Sequence, residues 1–172
     1  GALGFFHKNS VGMFEGNVFS PTFFQFPTYS VFNGIFLHLT TVLQIPLNYM
    51  TYKLFHSCLI ILIMILGVLL LKLIDHDDKF YLKANLYLII LLLSPFAIST
   101  ASVIRPESLG LVFVLFALLS YAKWVRIYLH NNIFLYLSAL FWGMSATTHP
   151  IFIILSGTMC TVVVMHQVRK KD

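Results

Sequence analysis

The sequence predicts an all-α integral membrane protein, built as a polytopic helical bundle of about five spans with an outer-face loop and an interfacial helix before them. Three observations predict this fold. Hydrophobic residues make up 59% of the 172 residues and charged residues only 10%, whereas soluble domains carry about 25% charged residues. Uncharged apolar segments recur at about the length that a membrane helix needs. Basic residues are also distributed unevenly between these segments, a pattern that sets orientation in membrane proteins.

The first 51 residues are predicted to lie at the outer face, ahead of a single membrane domain formed by residues 52–172. Residues 1–29 are rich in glycine, proline and aromatic residues, which predicts a loop that packs on the membrane surface or on the helices. Residues 30–50 are apolar but interrupted by polar side chains, and Pro46 ends the run. We favour an interfacial helix for this segment, with a span as the alternative.

The five predicted spans are residues 54–71, 84–104, 106–122, 132–149 and 150–168. Ser94-Pro95 predicts a kink or an early end in the second span. Residues 127–168 form a run of 42 residues without Asp, Glu, Lys or Arg, which is too long for one crossing. Thr147-Thr148-His149-Pro150 divides it into a helical hairpin, because the residue before a proline disfavours the helical conformation.

The distribution of Lys and Arg predicts the orientation of the bundle. We call the side that holds the Arg105 and His149 loops face A, and the side that holds the C-terminus face B. Face B receives eight basic residues: Lys72, Lys79, Lys83, Lys123, Arg126, Arg169, Lys170 and Lys171. Face A receives three: Lys8, Lys53 and Arg105. The positive-inside rule then makes face B, with the C-terminus, cytoplasmic. Because the chain would begin outside with no preceding span, we expect it to be a fragment of a longer protein.

Arg105-Pro106-Glu107 is the most informative motif, because it places two opposite charges between two long apolar segments. Proline suits the first turn of a helix, so the motif predicts that one span ends and another begins here. Pro150 also opens a span on face A and follows His149. Helix N-termini and arginine both favour phosphate. The motif therefore predicts a phosphate-bearing lipid at Arg105 and His149, with ordinary interfacial caps as the alternative.

Other chemistry has weaker support in the sequence. Asp75-His76-Asp77-Asp78 offers oxygen and nitrogen ligands, so a divalent metal stays open as a cofactor, although such a charged run is more often a solvated turn. No metal site is predicted from any other residues. The absence of CxxC, HExxH, GxSxG and Walker motifs argues against a zinc protease, a serine hydrolase or an ATPase within this stretch. The basic charge is explained by membrane orientation and predicts no nucleic-acid partner.

The order of these features resembles the membrane core of GT-C class glycosyltransferases, which use polyprenyl-phosphate sugars and include protein mannosyltransferases and lipid A aminoarabinose transferases. Three short motifs carry the resemblance: Phe24-Gln25-Phe26-Pro27-Thr28-Tyr29, Arg105-Pro106-Glu107-Ser108-Leu109 and Ala146-Thr147-Thr148-His149-Pro150. The resemblance covers most of residues 20–168. It departs from the family pattern at the catalytic acid, which in the family usually follows a first membrane helix that this chain lacks.

The resemblance implies inverting transfer of a sugar from a polyprenyl phosphate to an acceptor on the outer or lumenal face, in a bacterial inner membrane or, less favoured, an endoplasmic reticulum membrane. It implies Glu15 as the catalytic base and Arg105 and His149 as groups on the donor phosphate. Glu107 would orient Arg105 or line the pocket, and Tyr29 would contact substrate. The alternatives are a non-catalytic membrane subunit that binds lipid or partner helices, and a transporter.

Overall fold

The computed structural model describes residues 27–46, 49–74, 80–94, 107–126 and 132–169. Every regular element in these residues is a helix, so the predicted all-α class is confirmed for the described part of the chain. The six helices are α1 (Pro27–Val42), α2 (Tyr49–Ile74), α3 (Phe80–Leu93), α4 (Glu107–Arg126), α5 (Ile133–Ala146) and α6 (Ile151–Arg169).

The first helix lies earlier in the chain than the sequence predicts. α1 begins at Pro27, inside the segment predicted as a loop, and ends at Val42, before Pro46 is reached. Proline is well suited to a first turn, because its missing N–H would have no intrahelical partner there. The predicted limits of residues 30 and 50 were therefore wrong at both ends, and the domain boundary predicted after residue 51 falls inside α2.

The end of α1 is closed by its own backbone. Gln44 adopts a φ of 54°, which is the left-handed conformation usual just after a helix. Its N–H donates to the carbonyl of Thr41 at 3.1 Å, and the N–H of Ile45 donates to the carbonyl of Thr40 at 2.9 Å. These two bonds form a Schellman motif, which satisfies carbonyls that the helix end would otherwise leave unpaired.

Two of the described helices are long and apolar enough to cross a membrane: Lys53–Ile74 within α2, with a mean hydropathy of 2.9, and α4, with 1.8. The other three predicted spans correspond to shorter apolar helices, Phe80–Leu93, Ile133–Ala146 and Ile151–Met165. α3 ends at Leu93, where Ser94 turns back and its Oγ donates to the carbonyl of Leu91 at 2.6 Å. The helix is thus interrupted at Ser94, as Ser94-Pro95 predicts, and the choice between a kink and an early end lies outside the described residues.

The predicted hairpin between the last two helices is confirmed. α5 ends at Ala146 and α6 begins at Ile151. The N–H groups of Thr147 and Thr148 donate to the carbonyls of Gly143 and Ser145 at 3.1 and 3.0 Å, which tightens the last turn of α5. The four-residue break that the sequence marks with Pro150 is therefore a real reversal of the chain.

α4 is the central helix of the described bundle, since half of its residues are buried. Near its start Ser108 contacts His56 of α2, and at its end Arg126 donates to the carbonyl of Ile74 at 3.2 Å. α2 and α4 therefore run in the same direction.

α5 runs the opposite way, because Lys123 in the last turn of α4 lies over the ring of Phe134 in the first turn of α5. Nearer the start of α4, Phe113 stacks on Phe141 toward the end of α5. Two clusters of buried apolar side chains fill these contacts.

The outward surfaces of α3 and α6 are apolar. The exposed large side chains on these two helices are Tyr81, Leu82, Leu86, Ile89, Ile90, Leu92, Leu93, Ile151, Ile153, Ile154, Leu155, Val162, Val164 and Met165. Water-soluble monomers rarely expose contiguous apolar patches of this kind. These surfaces fit contact with lipid chains or with other apolar helices.

Candidate functional site

Polar side chains from five helix ends meet at one end of the bundle, which we call the polar end. It comprises Thr28, Tyr29, His56, Glu107, Ser108, Thr147 and His149. The starts of α1, α2, α4 and α6 and the end of α5 contribute these residues. Because α2 and α4 run in the same direction, their first turns come to the same side. This is the side that the charge distribution predicts as face A.

The deepest part of the polar end is a chain of hydrogen bonds through His56. The Nε2 of His56 lies 3.1 Å from the hydroxyl of Tyr29, and its Nδ1 lies 3.3 Å from the Oγ of Ser108. All three side chains are nearly inaccessible, at 1%, 2% and 0% exposure for Tyr29, His56 and Ser108. A neutral imidazole has one donor and one acceptor nitrogen, and a hydroxyl can take either role. The arrangement therefore ties α1, α2 and α4 together through polar groups that satisfy one another.

Nearer the surface, Glu107 faces His149. The His149 Nε2 lies 3.7 Å from the Glu107 Oε1, and both side chains are about one quarter exposed, at 28% and 25%. The N–H of Ile151 lies 3.4 Å from the Nδ1 of His149, so the ring also caps the first turn of α6. With Nδ1 as the acceptor, Nε2 carries the hydrogen and presents it toward the carboxylate. The other Glu107 oxygen, Oε2, is buried and has no hydrogen-bond partner among the described residues.

A cavity of about 430 Å³ opens beside this pair, between α4 and α6. Glu107 supplies its polar lining, and the apolar lining is Leu111, Ile151, Phe152 and Leu155. Buried acceptors without partners are uncommon in folded proteins and call for an explanation. Among the described residues, Glu107 is the one lining residue with a polar side chain, so the cavity offers a carboxylate at one edge of an otherwise apolar wall.

The cavity depends on close packing between α4 and α6. A Cβ added to Gly110 would collide with the ring of Phe152. The ring also lies edge-on to His149, with centroids 6.5 Å apart. The absence of a side chain at Gly110 thus lets Phe152 approach α4, and Phe152 in turn lines the cavity and supports His149.

A threonine pair closes the outer side of the polar end. The Oγ1 atoms of Thr28 and Thr147 lie 2.5 Å apart, and Thr147 also donates toward the carbonyl of Gly143 at 3.0 Å. Thr148 is fully buried, and its Oγ1 donates to the carbonyl of Met144 at 2.7 Å. The hydroxyls that the sequence places in the hairpin turn therefore hold α1 against the end of α5.

The structure brings together some of the residues that the sequence singles out. Glu107 and His149 are adjacent, which agrees with the prediction that both lie on face A. Tyr29 is buried inside the bundle, because α1 starts at Pro27 and its first turn faces α2 and α4. Its predicted contact with substrate stays a prediction. Arg105 and Glu15 lie outside the described residues. Their predicted roles stay predictions.

Four members of the polar end were not assigned to a site by sequence reasoning: Thr28, His56, Ser108 and Thr147. His56 is hydrogen-bonded between helices, to Tyr29 of α1 and Ser108 of α4. The signal for Ser108 was its position next to Glu107 in a helix that begins on face A.

Metal binding has no support in the described residues, where no group of three or more His, Cys, Asp or Glu side chains comes together. The predicted alternative at residues 75–78 lies outside them. Comparison with protein-family models, with curated proteins and with solved structures finds no match for this chain.

Proposed function

We propose that this chain is the helical membrane core of a glycosyltransferase that takes its sugar from a polyprenyl-phosphate donor. The observation that carries the proposal is the cavity between α4 and α6. It sets the carboxylate of Glu107, whose Oε2 has no hydrogen-bond partner among the described residues, beside an apolar wall. A lipid-linked sugar has the same two parts, a hydroxyl-rich head and a hydrocarbon chain.

The membrane setting rests on two features. Two described helices have the length and composition of spans, and α3 and α6 expose large apolar side chains. Five spans, an outer face A and a cytoplasmic C-terminus follow from the sequence and belong to this proposal. The bacterial inner membrane is the favoured location, with the endoplasmic reticulum membrane as the alternative.

Glu107 and His149 would contact different parts of the donor. The Glu107 carboxylate would accept a hydrogen bond from a sugar hydroxyl, since hydrogen bonds to charged groups are among the stronger ones. His149, whose Nε2 lies 3.7 Å from the Glu107 Oε1, would act on the phosphate side together with Arg105. Glu15 remains the base proposed from the resemblance. In the transfer, the acceptor oxygen would bond to the anomeric carbon as the bond to the phosphate oxygen breaks, and polyprenyl phosphate would leave.

The proposal is tested by binding of two lipids to the purified protein in nanodiscs, polyprenyl phosphate and the same lipid carrying a sugar. We expect Glu107→Gln to weaken only the sugar-bearing lipid, and His149→Gln to weaken both, by about tenfold or more. His38→Gln is the matched control, because His38 is an exposed histidine of α1 that does not line the cavity.

Absence of binding in the parent protein, or equal losses in the His38 control, would overturn the donor site. The alternative function is a non-catalytic membrane subunit, which the exposed apolar surfaces of α3 and α6 favour. Sugar transfer from the bound donor to a hydroxyl or amine acceptor separates the two, because only the enzyme would release polyprenyl phosphate.

A further inference from the structure

A second amphipathic cavity lies at the opposite end of the bundle. Its volume is about 480 Å³, and α2, α4 and α5 supply its walls. Its polar lining is Lys72, Lys123 and Ser120, and its apolar walls include Leu66, Leu69 and Phe116. We call it the lysine cavity. None of its lining residues belongs to the polar end.

The parallel course of α2 and α4 explains why two lysines meet here. Lys72 lies in the last turn of α2 and Lys123 in the last turn of α4. The bond from Arg126 to the carbonyl of Ile74 holds these two helix ends together. Lys123 extends over the ring of Phe134, with its Nζ 5.8 Å from the ring centroid. A favourable interaction with the helix dipole would account for basic residues in a last turn, but it does not account for an apolar cavity beneath them.

We propose that the lysine cavity binds an anionic phospholipid, with the phosphate of the headgroup at Lys72 and Lys123 and an acyl chain along the apolar wall. Basic pockets between membrane helices on the cytoplasmic side suit such headgroups. Face B is the side on which the positive-inside rule places the cytoplasm. The inference rests on the proposed membrane setting and is independent of glycosyl transfer.

The apolar wall continues away from the lysines. An adjoining apolar cavity, of about 420 Å³, shares Leu69 with the lysine cavity. Its other lining residues are Ile61, Met64, Ile65, Val68 and Leu88. From Leu69 to Ile61 the helix rises about 12 Å at 1.5 Å per residue. The two cavities therefore adjoin at Leu69, and hydrocarbon held there would run from the headgroup level toward the middle of the bundle.

The charges around the lysine cavity favour an anionic occupant. Glu107 is the one acidic residue among the described residues, and it lies at the polar end. Asp75, Asp77 and Asp78 follow α2 in the sequence, outside the described residues. Binding in the parent protein therefore tests whether a phospholipid competes with these carboxylates for Lys72 and Lys123.

The experiment is native mass spectrometry of the full chain in a neutral detergent, titrated with phosphatidylglycerol or with phosphatidylcholine of the same acyl chains. We expect the parent to prefer phosphatidylglycerol. Each lysine near a membrane surface contributes about fivefold to the affinity for anionic lipid. Lys72→Gln with Lys123→Gln should therefore reduce phosphatidylglycerol binding by about 25-fold.

Lys83→Gln is the matched control, since Lys83 is an exposed lysine of α3 that does not line the cavity. Equal losses in this control would show a general charge effect and overturn the site. Equal binding of the two lipids, or displacement of phosphatidylglycerol by inorganic phosphate alone, would also overturn it. Failure here with intact polyprenyl-phosphate binding at the polar end would leave the proposed function standing.

Discussion

Gly110 of α4 and Phe152 of α6 are packed so closely that a Cβ on Gly110 would overlap the aromatic ring. Phe152 is 8% exposed and lies in a buried cluster with Val114, Ala117 and Trp142. The ring therefore has little freedom to move aside. One missing side chain on α4 sets the distance to α6 and, with it, the width of the cavity at Glu107.

Replacing Gly110 tests this packing. We expect Gly110→Ala to destabilise the protein by about 1–3 kcal/mol, the usual cost of overpacking a filled core. Alanine is intrinsically the better helix residue by about 1 kcal/mol. A loss of stability in Gly110→Ala would therefore come from the collision with Phe152. Gly157→Ala is the control, since no atom lies within 4 Å of a Cβ at that position. The free energy of unfolding in detergent should fall for the first variant and stay equal or rise for the second.

The hydrogen bonds through His56 predict a coupled loss of stability. Tyr29→Phe and Ser108→Ala each leave one His56 nitrogen without its hydroxyl, which should cost about 0.5–2 kcal/mol. The double variant should cost a different amount from the sum of the two, because both hydroxyls share one ring. Tyr136→Phe supplies the control, since Tyr136 is 69% exposed on α5. Strict additivity in unfolding measurements would mean that His56 does not link the helices energetically.

The helix end at Gln44 predicts a stabilising substitution. A non-glycine residue in the left-handed conformation costs about 1–2 kcal/mol, and Gln44 has a φ of 54°. Gln44→Gly should therefore raise the free energy of unfolding by up to about 1 kcal/mol, whereas the β-branched Gln44→Val should lower it. A glycine variant less stable than the parent would argue against the Schellman ending of α1.

The proposed orientation can be read from two cysteines at opposite ends of α5. Asn132 and Pro150 are both exposed and uncharged, so replacing either one leaves the distribution of basic residues unchanged. In a variant with Cys58→Ala and Cys160→Ser, an impermeant maleimide added to intact cells should label Pro150→Cys. It should label Asn132→Cys only after the membrane is permeabilised. The reverse pattern, or labelling of both cysteines from outside, would contradict a cytoplasmic face B.

The sequence was sufficient for features that depend on local chemistry. Proline marked the hairpin before Ile151, and the uncharged apolar runs located α2 and α4. The closeness of Glu107 and His149 followed from topology, because helices that alternate across a membrane return these two residues to the same side.

Features that depend on packing could not be predicted. No local signal shows that α1 would start at Pro27, or that its first turn would place Tyr29 against His56 and Ser108, residues 27 and 79 positions further along the chain. The sequence also does not show why Gly110 is a glycine, because the reason is its contact with Phe152 of α6. Glu15 and Arg105 lie outside the described residues, so the structure adds nothing to what the sequence predicts for them.

The bond between Thr28 and Thr147 spans 119 positions of the chain, and this has a consequence for synthesis. At about 5–20 residues per second, residue 147 is made roughly 6–24 s after residue 28. The contact between the first turn of α1 and Thr147 can therefore form only after α5 has been synthesised. The first turn of α1 is made well before the residue that closes its outer side, and this contact can form only late in synthesis.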